Sequence, residues 1–283
     1  MTETMNWDDI RVFLATMRAP SLRKAAQDLG VSHPTARRRL NALEERLGLQ
    51  LFDRRTDGLH ATAQAVDLLE AAERVERAMD SLGRIAKAAD PELRGPIRIT
   101  LPEVLATDLL MPDFVAFGQR WPQIQLQIEA SYGLRDLSRR EADVALRFMA
   151  HGTLPDPDLA GRMAGISFNA IYGFGDQWIG WRGPEEDAKW ISKTAFPDLP
   201  VRGALNEPNL QRSACAQGMG LTQLPCFFAE PLLTRRTEPE PAFDLWVLVH
   251  PDLRRSPRLR IFRDSVVAAV RRYQPRLEGR ESP

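Results

Sequence analysis

Hydrophobic positions near the start of the chain recur at helical spacing, and the breaks in that spacing mark where elements end. Trp7, Ile10, Phe13, Leu14 and Met17 share one face and predict a first helix over about residues 7–17. Ala25, Ala26 and Leu29 give a short second helix, with Ser21 placed to cap it and Gly30 to end it. Ser32 caps a third, Pro34 sits in its first turn, and Ala36, Leu40, Leu43 and Leu47 face inward. Small residues at a helix crossing and a glycine turn make a helix-turn-helix, and the Thr- and Arg-rich second helix suits a DNA major groove. The following LQLFDRRTDGLHAT reads as a hairpin wing, with Leu51 and Phe52 inward and a turn at Asp57-Gly58. From Ala63 to Ala89 runs one proline-free helical pattern. In it Leu68, Ala72, Val75, Met79 and Leu82 alternate steps of four and three, a heptad seam suited to pairing with a second copy.

Beyond Asp90-Pro91 and the short hinge to Gly95 the pattern changes to short apolar runs separated by helical ones. PIRITL, IQLQIE, ADVALRF and ISFNAIYGF read as strands, with helices at Val104–Phe117 and LRDLSRRE between them. A poorly patterned Trp-rich stretch, Gln177 to Phe196, follows. Then come VRGAL, a helix from Pro208 to Gln217, GLTQLP, a short helix near Phe227, LWVLVH and a helix Ser256–Tyr273. This alternation predicts parallel α/β units. Prolines 155 and 157, and again 239 and 241, mark two crossings between lobes, with a ligand cleft expected at strand carboxyl ends.

Composition adds only local detail. Lys plus Arg and Asp plus Glu are equal at 38 each, so global charge gives no sign of nucleic acid. From Ser21 to Arg55, however, eight basic residues face four acidic ones. A charge run is usually a solvated helix face, but three successive arginines at the start of the third helix favour phosphate and base contacts. The N-terminus does not read as a signal peptide, and no run of about 18 apolar residues predicts a membrane span. Cys215 and Cys226 fit a reducing cytoplasm and read as buried small hydrophobes rather than a redox pair. His151 and His250 lie in proline-bordered loops with no paired motif, and no nucleophile-base set, metal spacing or glycine-rich phosphate loop stands out. An enzyme with an appended DNA-binding domain and a free-standing solute-binding protein are therefore the weaker readings.

WDDIRVFLA, the stretch SLRKAAQDLGVSHPTARRRLNALEERLGLQLFDRRTDGLHAT, the hinge LRGPIRIT, EADVALRF, GMGLTQLP and LWVLVHPDLRRSPRLRIFRD together resemble a LysR-type transcriptional regulator along nearly the whole length. The pattern SxxKAAxxLxxSxPTxxRRxxxLExxLGxxLFxR is specific, and the later matches arrive in order. The resemblance implies a winged helix-turn-helix over residues 1–62, a linker and dimerisation helix over 63–90, and a two-lobed, periplasmic-binding-protein-like effector domain over 91–283. Its first lobe would cover about 95–155 and 243–275, and its second about 156–242. It further implies a cytoplasmic, cofactor-free homo-oligomer, a dimer through the linker helix and then a tetramer. Its partners would be double-stranded promoter DNA, a small carboxylate or aromatic effector and, as a further candidate, RNA polymerase.

By position, the DNA contacts would be Ser21, Ser32, His33, Pro34, Thr35, Arg37, Arg38 and Arg39, with Arg54 and Arg55 on the wing. The effector would meet Thr100, Leu101 and Pro102, with Arg147 and Asn206 on opposite walls; for Arg147 a surface ion pair weighs equally. The chain departs from the family pattern in three places. Arg37 stands where a serine is usual, Ala65 replaces a common glycine, and the second lobe looks shortened, with Trp178 or Trp181 placed to fill its pocket.

Overall fold

The structure, a computed structural model, describes residues 5–55, 58–88, 92–132, 142–230 and 232–280. The chain divides into two compact units, Met1–Arg84 and Ile85–Pro283. In the first, α1 (Trp7–Arg18) starts at Asn6, whose side chain accepts from the Asp8 N–H. It buries Val12, Phe13 and Leu14, with Trp7, Ile10 and Met17 half-covered at the margins. α2 (Leu22–Asp28) is capped by Ser21 Oγ on the Lys24 N–H, and α3 (His33–Leu47) by Ser32 Oγ on the Thr35 N–H. Gly30 and Gly48 close these helices at φ +66° and +65°, left-handed conformations that a side chain would resist. The wing strands β1 (Phe52–Arg55) and β2 (Gly58–Ala61) pair antiparallel from Phe52↔Ala61 to Arg55↔Gly58. Asp57 of the expected turn lies outside the described residues. Phe52 reaches back to Phe13, ring centroids 6.0 Å apart.

α4 (Ala63–Ala88) is one unbroken helix of 26 residues, about 39 Å long at 1.5 Å per residue. Thr62 Oγ1 accepts the Ala65 N–H at its start, and Ala65 is fully buried where a glycine would have weakened the turn. The expected apolar seam splits in two. Leu68 and Ala72 pack against the core of their own unit, while Val75, Met79 and Leu82 are exposed.

The second unit begins with β3 (Gly95–Leu101). The helix expected over Val104–Phe117 is instead three pieces: α5 (Glu103–Leu105), a π-turn (Ala106–Leu110) and α6 (Met111–Arg120). Pro112 explains the break. It has no N–H to give the carbonyl four residues back, and the Met111 N–H bonds Ala106 O, five residues back. The strands β4 (Ile124–Ala130), β5 (Val144–Ala150) and β6 (Ala160–Tyr172) follow; the expected LRDLSRRE helix lies outside the described residues. The Trp-rich stretch resolves into β7 (Trp178–Gly180) and α7 (Pro184–Ile191). Next are β8 (Val201–Ala204), α8 (Pro208–Ala216), β9 (Thr222–Pro225), α9 (Cys226–Ala229) and β10 (Glu240–Val249). A 3-10 turn (Pro251–Leu253), α10 (Pro257–Arg272) and α11 (Gln274–Leu277) complete the unit.

The strands form a six-stranded sheet in the order β4-β3-β5-β10-β6-β9 and a two-stranded sheet β7-β8. The expectation of parallel units holds for β3 with β4 and β5, and for β7 with β8. It fails for β10, which lies antiparallel between β5 and β6, and for β9 on β6. The reason is the two crossings: β6 carries the chain away from β5, and β10 brings it back alongside in the opposite sense. The large core lies on this sheet, where Phe262 of α10 stacks on Phe114 at 6.0 Å and meets Phe117 edge-on at 5.2 Å. In the second lobe the buried Gln211 of α8 is a central fastener. Its amide donates to Gly180 O at 2.7 Å and Leu205 O at 2.9 Å and accepts from Thr222 Oγ1 at 2.6 Å.

Candidate DNA interface and ligand cleft

The start of α3 is built by hydroxyl pairing and burial on its back. Ser32 Oγ and Thr35 Oγ1 lie 2.8 Å apart, and Ala36, Leu40 and Leu43 anchor the helix to α1 and α2. Ser32, His33 and Pro34 remain exposed, as do Arg37 and Arg38. These two arginines have no partner among the described residues. Arg39 differs: it turns toward α1, where Nη2 meets Asp8 at 2.9 Å and Nη1 meets Asp9 at 3.5 Å. Asp9 is buried and also receives Arg46 at 3.0 Å. Arg39 is therefore engaged by α1, where the buried Asp9 carboxylate needs a positive charge beside it.

The wing is tied to α3 by Glu44, whose Oε1 accepts the N–H groups of Leu51 at 2.8 Å and Phe52 at 3.1 Å. Sequence reading counted Glu44 only as an acid in a basic stretch. The backbone of Arg54 and Arg55 lies in β1, so both belong to the wing. Ser21 is committed to its cap, though it stays exposed.

In the second unit, a cleft of about 860 Å³ opens at the carboxyl ends of β3 and β4 and is within the size range of small-molecule sites. Its lining includes Pro102, Tyr132, Phe148 of β5, Asn169 of β6 and Phe243 of β10. Trp181 and Arg182 after β7, Glu186, Asp187, Lys189 and Trp190 of α7, Pro208 at the start of α8, and Gln223 of β9 complete its polar and aromatic parts. Phe148 and Phe243 pack together at 5.9 Å. Asn169 Oδ1 is buried in the lining without a hydrogen-bond partner among the described residues, an acceptor open to a donor.

Of the residues expected to meet an effector, only Pro102 lines this cleft. Thr100 and Leu101 are buried within β3. Arg147 is buried rather than at the surface, and it is not among the residues lining the cleft. At 3% exposure it donates to Thr100 O at 2.8 Å, Leu146 O at 2.9 Å and Thr100 Oγ1 at 2.9 Å. Asn206 is exposed and outside the lining. Trp178 does not fill the cleft either: it is a core residue whose indole donates to Phe196 O at 2.9 Å and packs edge-on against Trp190. Of the two tryptophans expected to fill the pocket, Trp181 lines the ligand space, as does Trp190 of α7.

The loop bearing Trp181 is held by Asp187. Its carboxylate accepts the N–H groups of Trp181 at 2.9 Å and Gly183 at 2.9 Å, that of Arg182, and the Trp190 indole at 3.0 Å. Burial opposes the charge, but the Trp190 bond and the backbone donors outweigh it and hold the carboxyl below its ordinary pKa. Replacing Asp187 with asparagine should cost about 2 kcal/mol of stability at neutral pH, because an amide turns a donor toward donors. The wild-type excess should shrink as pH falls through the lowered folded-state value, which pH-dependent thermal melts of both proteins would show.

His151 gains a partner that the sequence did not reveal: Nδ1 lies 2.7 Å from Asp244 Oδ1, and Asp244 also accepts the Gly152 N–H at 2.9 Å. The pair braces the end of β5 against β10. Cys215 and Cys226 are buried free thiols; burial pushes Cys215 up to about 11 and raises Cys226, leaving both as thiols at neutral pH. Among the described residues no cluster of three or more His, Cys, Asp or Glu could hold a metal ion, and no helix is long and apolar enough to cross a membrane.

A helix-turn-helix with a wing, followed by a long helix and an α/β unit with a ligand-sized cleft, defines a DNA-binding regulator with a substrate-binding domain. Residues 7–66 match the bacterial regulatory helix-turn-helix protein, lysR family, and residues 91–164 match the LysR substrate binding domain. The HTH-type transcriptional regulator CrgA of Neisseria meningitidis serogroup C is 25% identical over 291 residues, spanning 93% of this chain and 96% of CrgA. The solved structure of CrgA has a TM-score of 0.54 at 23% identity, covering 94% of this chain and 99% of that one. A full-length OxyR variant from Pseudomonas aeruginosa has a TM-score of 0.59 at 18% identity, covering 95% of each chain. The chain belongs to the LysR family of transcriptional regulators. It is a DNA-binding transcriptional regulator rather than an enzyme.

Proposed function

We propose that residues 1–62 bind promoter DNA as half of a symmetric dimer joined through the helix of residues 63–90, and that residues 91–283 control this binding through an effector held in the cleft. The observation that carries the DNA reading is the contrast on α3. Arg37 and Arg38 are exposed with no partner among the described residues, while Arg39 is consumed by Asp8 and Asp9. Arg38 reads a guanine edge, and Arg37, Ser32, His33, Pro34, Thr35 and the Ser21 cap meet the backbone, with Arg54 and Arg55 reaching it from the wing. Val75, Met79 and Leu82 supply the dimer seam, and two dimers joining as a tetramer in the cytoplasm, with RNA polymerase as a further partner, complete the reading. The exposed apolar stripe supports the dimer.

For the effector, the lining favours a flat aromatic molecule with a hydrogen-bond donor over a carboxylate. Aromatic rings dominate the walls, Asn169 Oδ1 needs a donor, and Glu103 occupies the helix turn where a carboxylate would sit. Phenol titrated into the full chain should quench tryptophan fluorescence, and Trp181→Phe should remove most of the quench. Asn169→Leu should weaken phenol binding about tenfold, the equivalent of one hydrogen bond. Benzoate binding more tightly than phenol, with no response to Asn169→Leu, overturns this class of effector.

A further inference from the structure

A second cavity, of about 380 Å³, shares no lining residue with the effector cleft. Its apolar floor is Val247 of β10 and Val267 of α10, and its polar lining is Arg162, Arg254, Arg263 and Asp264. Arg260, also on α10, lies outside the lining and adds a third repelling positive charge toward Arg263, after Arg254 and Arg162. Three guanidinium groups thus line the pocket beside one carboxylate, and Asp264 lies 3.4 Å from Arg162.

Arg263 sits at the centre. Its Nη2 donates to the Arg254 backbone carbonyl at 3.2 Å, but its Nε is buried with no hydrogen-bond partner among the described residues. Burial lowers its pKa, with Arg254, Arg162 and Arg260 adding to this against Asp264. Like charges gathered round a half-buried guanidinium with an unused donor destabilise the empty pocket, and an anion relieves both costs at once.

We propose that this pocket binds a phosphate group, either free phosphate or the phosphate of a phosphorylated metabolite. The forked N–H groups of several arginines match the three terminal oxygens and up to double charge of a phosphate group, whereas a carboxylate offers two oxygens and one charge.

The test is thermal unfolding of the full chain in potassium phosphate against potassium chloride at equal ionic strength. Wild type, Arg254→Ala and Arg263→Met are compared. In chloride, Arg254→Ala should melt at or above the wild-type temperature, since it removes a repelling charge and leaves the backbone acceptor in place. In phosphate, the wild type should gain stability that grows with concentration, as linkage requires, and both variants should bind at least tenfold more weakly. Glycerol 3-phosphate supplies the second arm. Tighter binding than inorganic phosphate assigns the site to a phosphorylated metabolite, and equal or weaker binding assigns it to free phosphate. A phosphate effect of the same size in Arg254→Ala places the anion elsewhere, at the DNA-binding arginines for instance, and overturns the proposal, as does the absence of any effect in the wild type. Phenol binding in the cleft is read separately by fluorescence, so either site can fail alone.

Discussion

Val75→Asp combined with Leu82→Asp should convert the protein to monomers and weaken operator binding by a hundredfold or more. Both side chains are exposed, at 40% and 62%, on the same side of α4, so neither helps hold its own unit together. Across a two-fold seam each substitution occurs twice and places carboxylates opposite one another in a contact meant to be apolar. The loss at DNA follows from geometry: once one recognition helix is seated, its partner is held near the second half-site at an effective concentration that free monomers do not reach. Sedimentation should show the change in mass, with the melting temperature of the first unit unchanged. Leu68→Asp is the contrasting case. Leu68 packs against the core of its own unit, so that change should unfold the winged domain. A double variant that sediments as a dimer would show that the exposed stripe is covered by something else.

Neighbouring arginines on α3 should behave as opposites. Arg38→Ala should lower operator affinity about ten- to a hundredfold, the equivalent of roughly 1–3 kcal/mol for a lost guanine contact, with an unchanged melt. Arg39→Ala should lower stability by about 1–2 kcal/mol, because it strips one of two cations from the buried Asp9 carboxylate and leaves Arg46 alone with it. DNA titrations at several salt concentrations, paired with thermal melts, separate the two effects. If Arg38→Ala binds its operator normally, Arg38 does not contact a base.

The sequence was most legible where local rules decide structure. Ser21, Ser32 and Gly30 announced the caps of α2 and α3 and the end of α2, and the helical spacing of Leu40 and Leu43 announced the buried face. It was least legible where distant segments meet. Nothing near Arg39 signals that Asp8 and Asp9, some thirty residues earlier, will capture it. Arg147 looked equally like an effector clamp or a surface ion, since the bonds it makes to Thr100 on another strand leave no local trace in the sequence. The cleft shows the same limit. Tyr132, Asn169, Trp181 and Phe243 are scattered over more than a hundred positions, and each would pass for an ordinary strand or loop residue. A buried amide oxygen without a donor, such as that of Asn169, exists only once the chain has folded round it.

The long strands β6 and β10 have a mechanical consequence. They lie side by side, paired from Glu240↔Asn169 to Val249↔Ala160; β6 runs from the lobe built on β3 and β5 toward the lobe built on β9, and β10 runs back. The lobes are therefore joined by a two-ply leaf spring rather than by loose tethers. Its pairing register slips twice, between Pro241 and Phe243 and between Leu245 and Trp246, and such irregularities are where a ribbon bends most readily. The first slip ends at Phe243, a wall of the cleft. Under the proposed effector reading, a ligand against that ring would press where the ribbon bends most readily, and a displacement there would be carried along both strands at once.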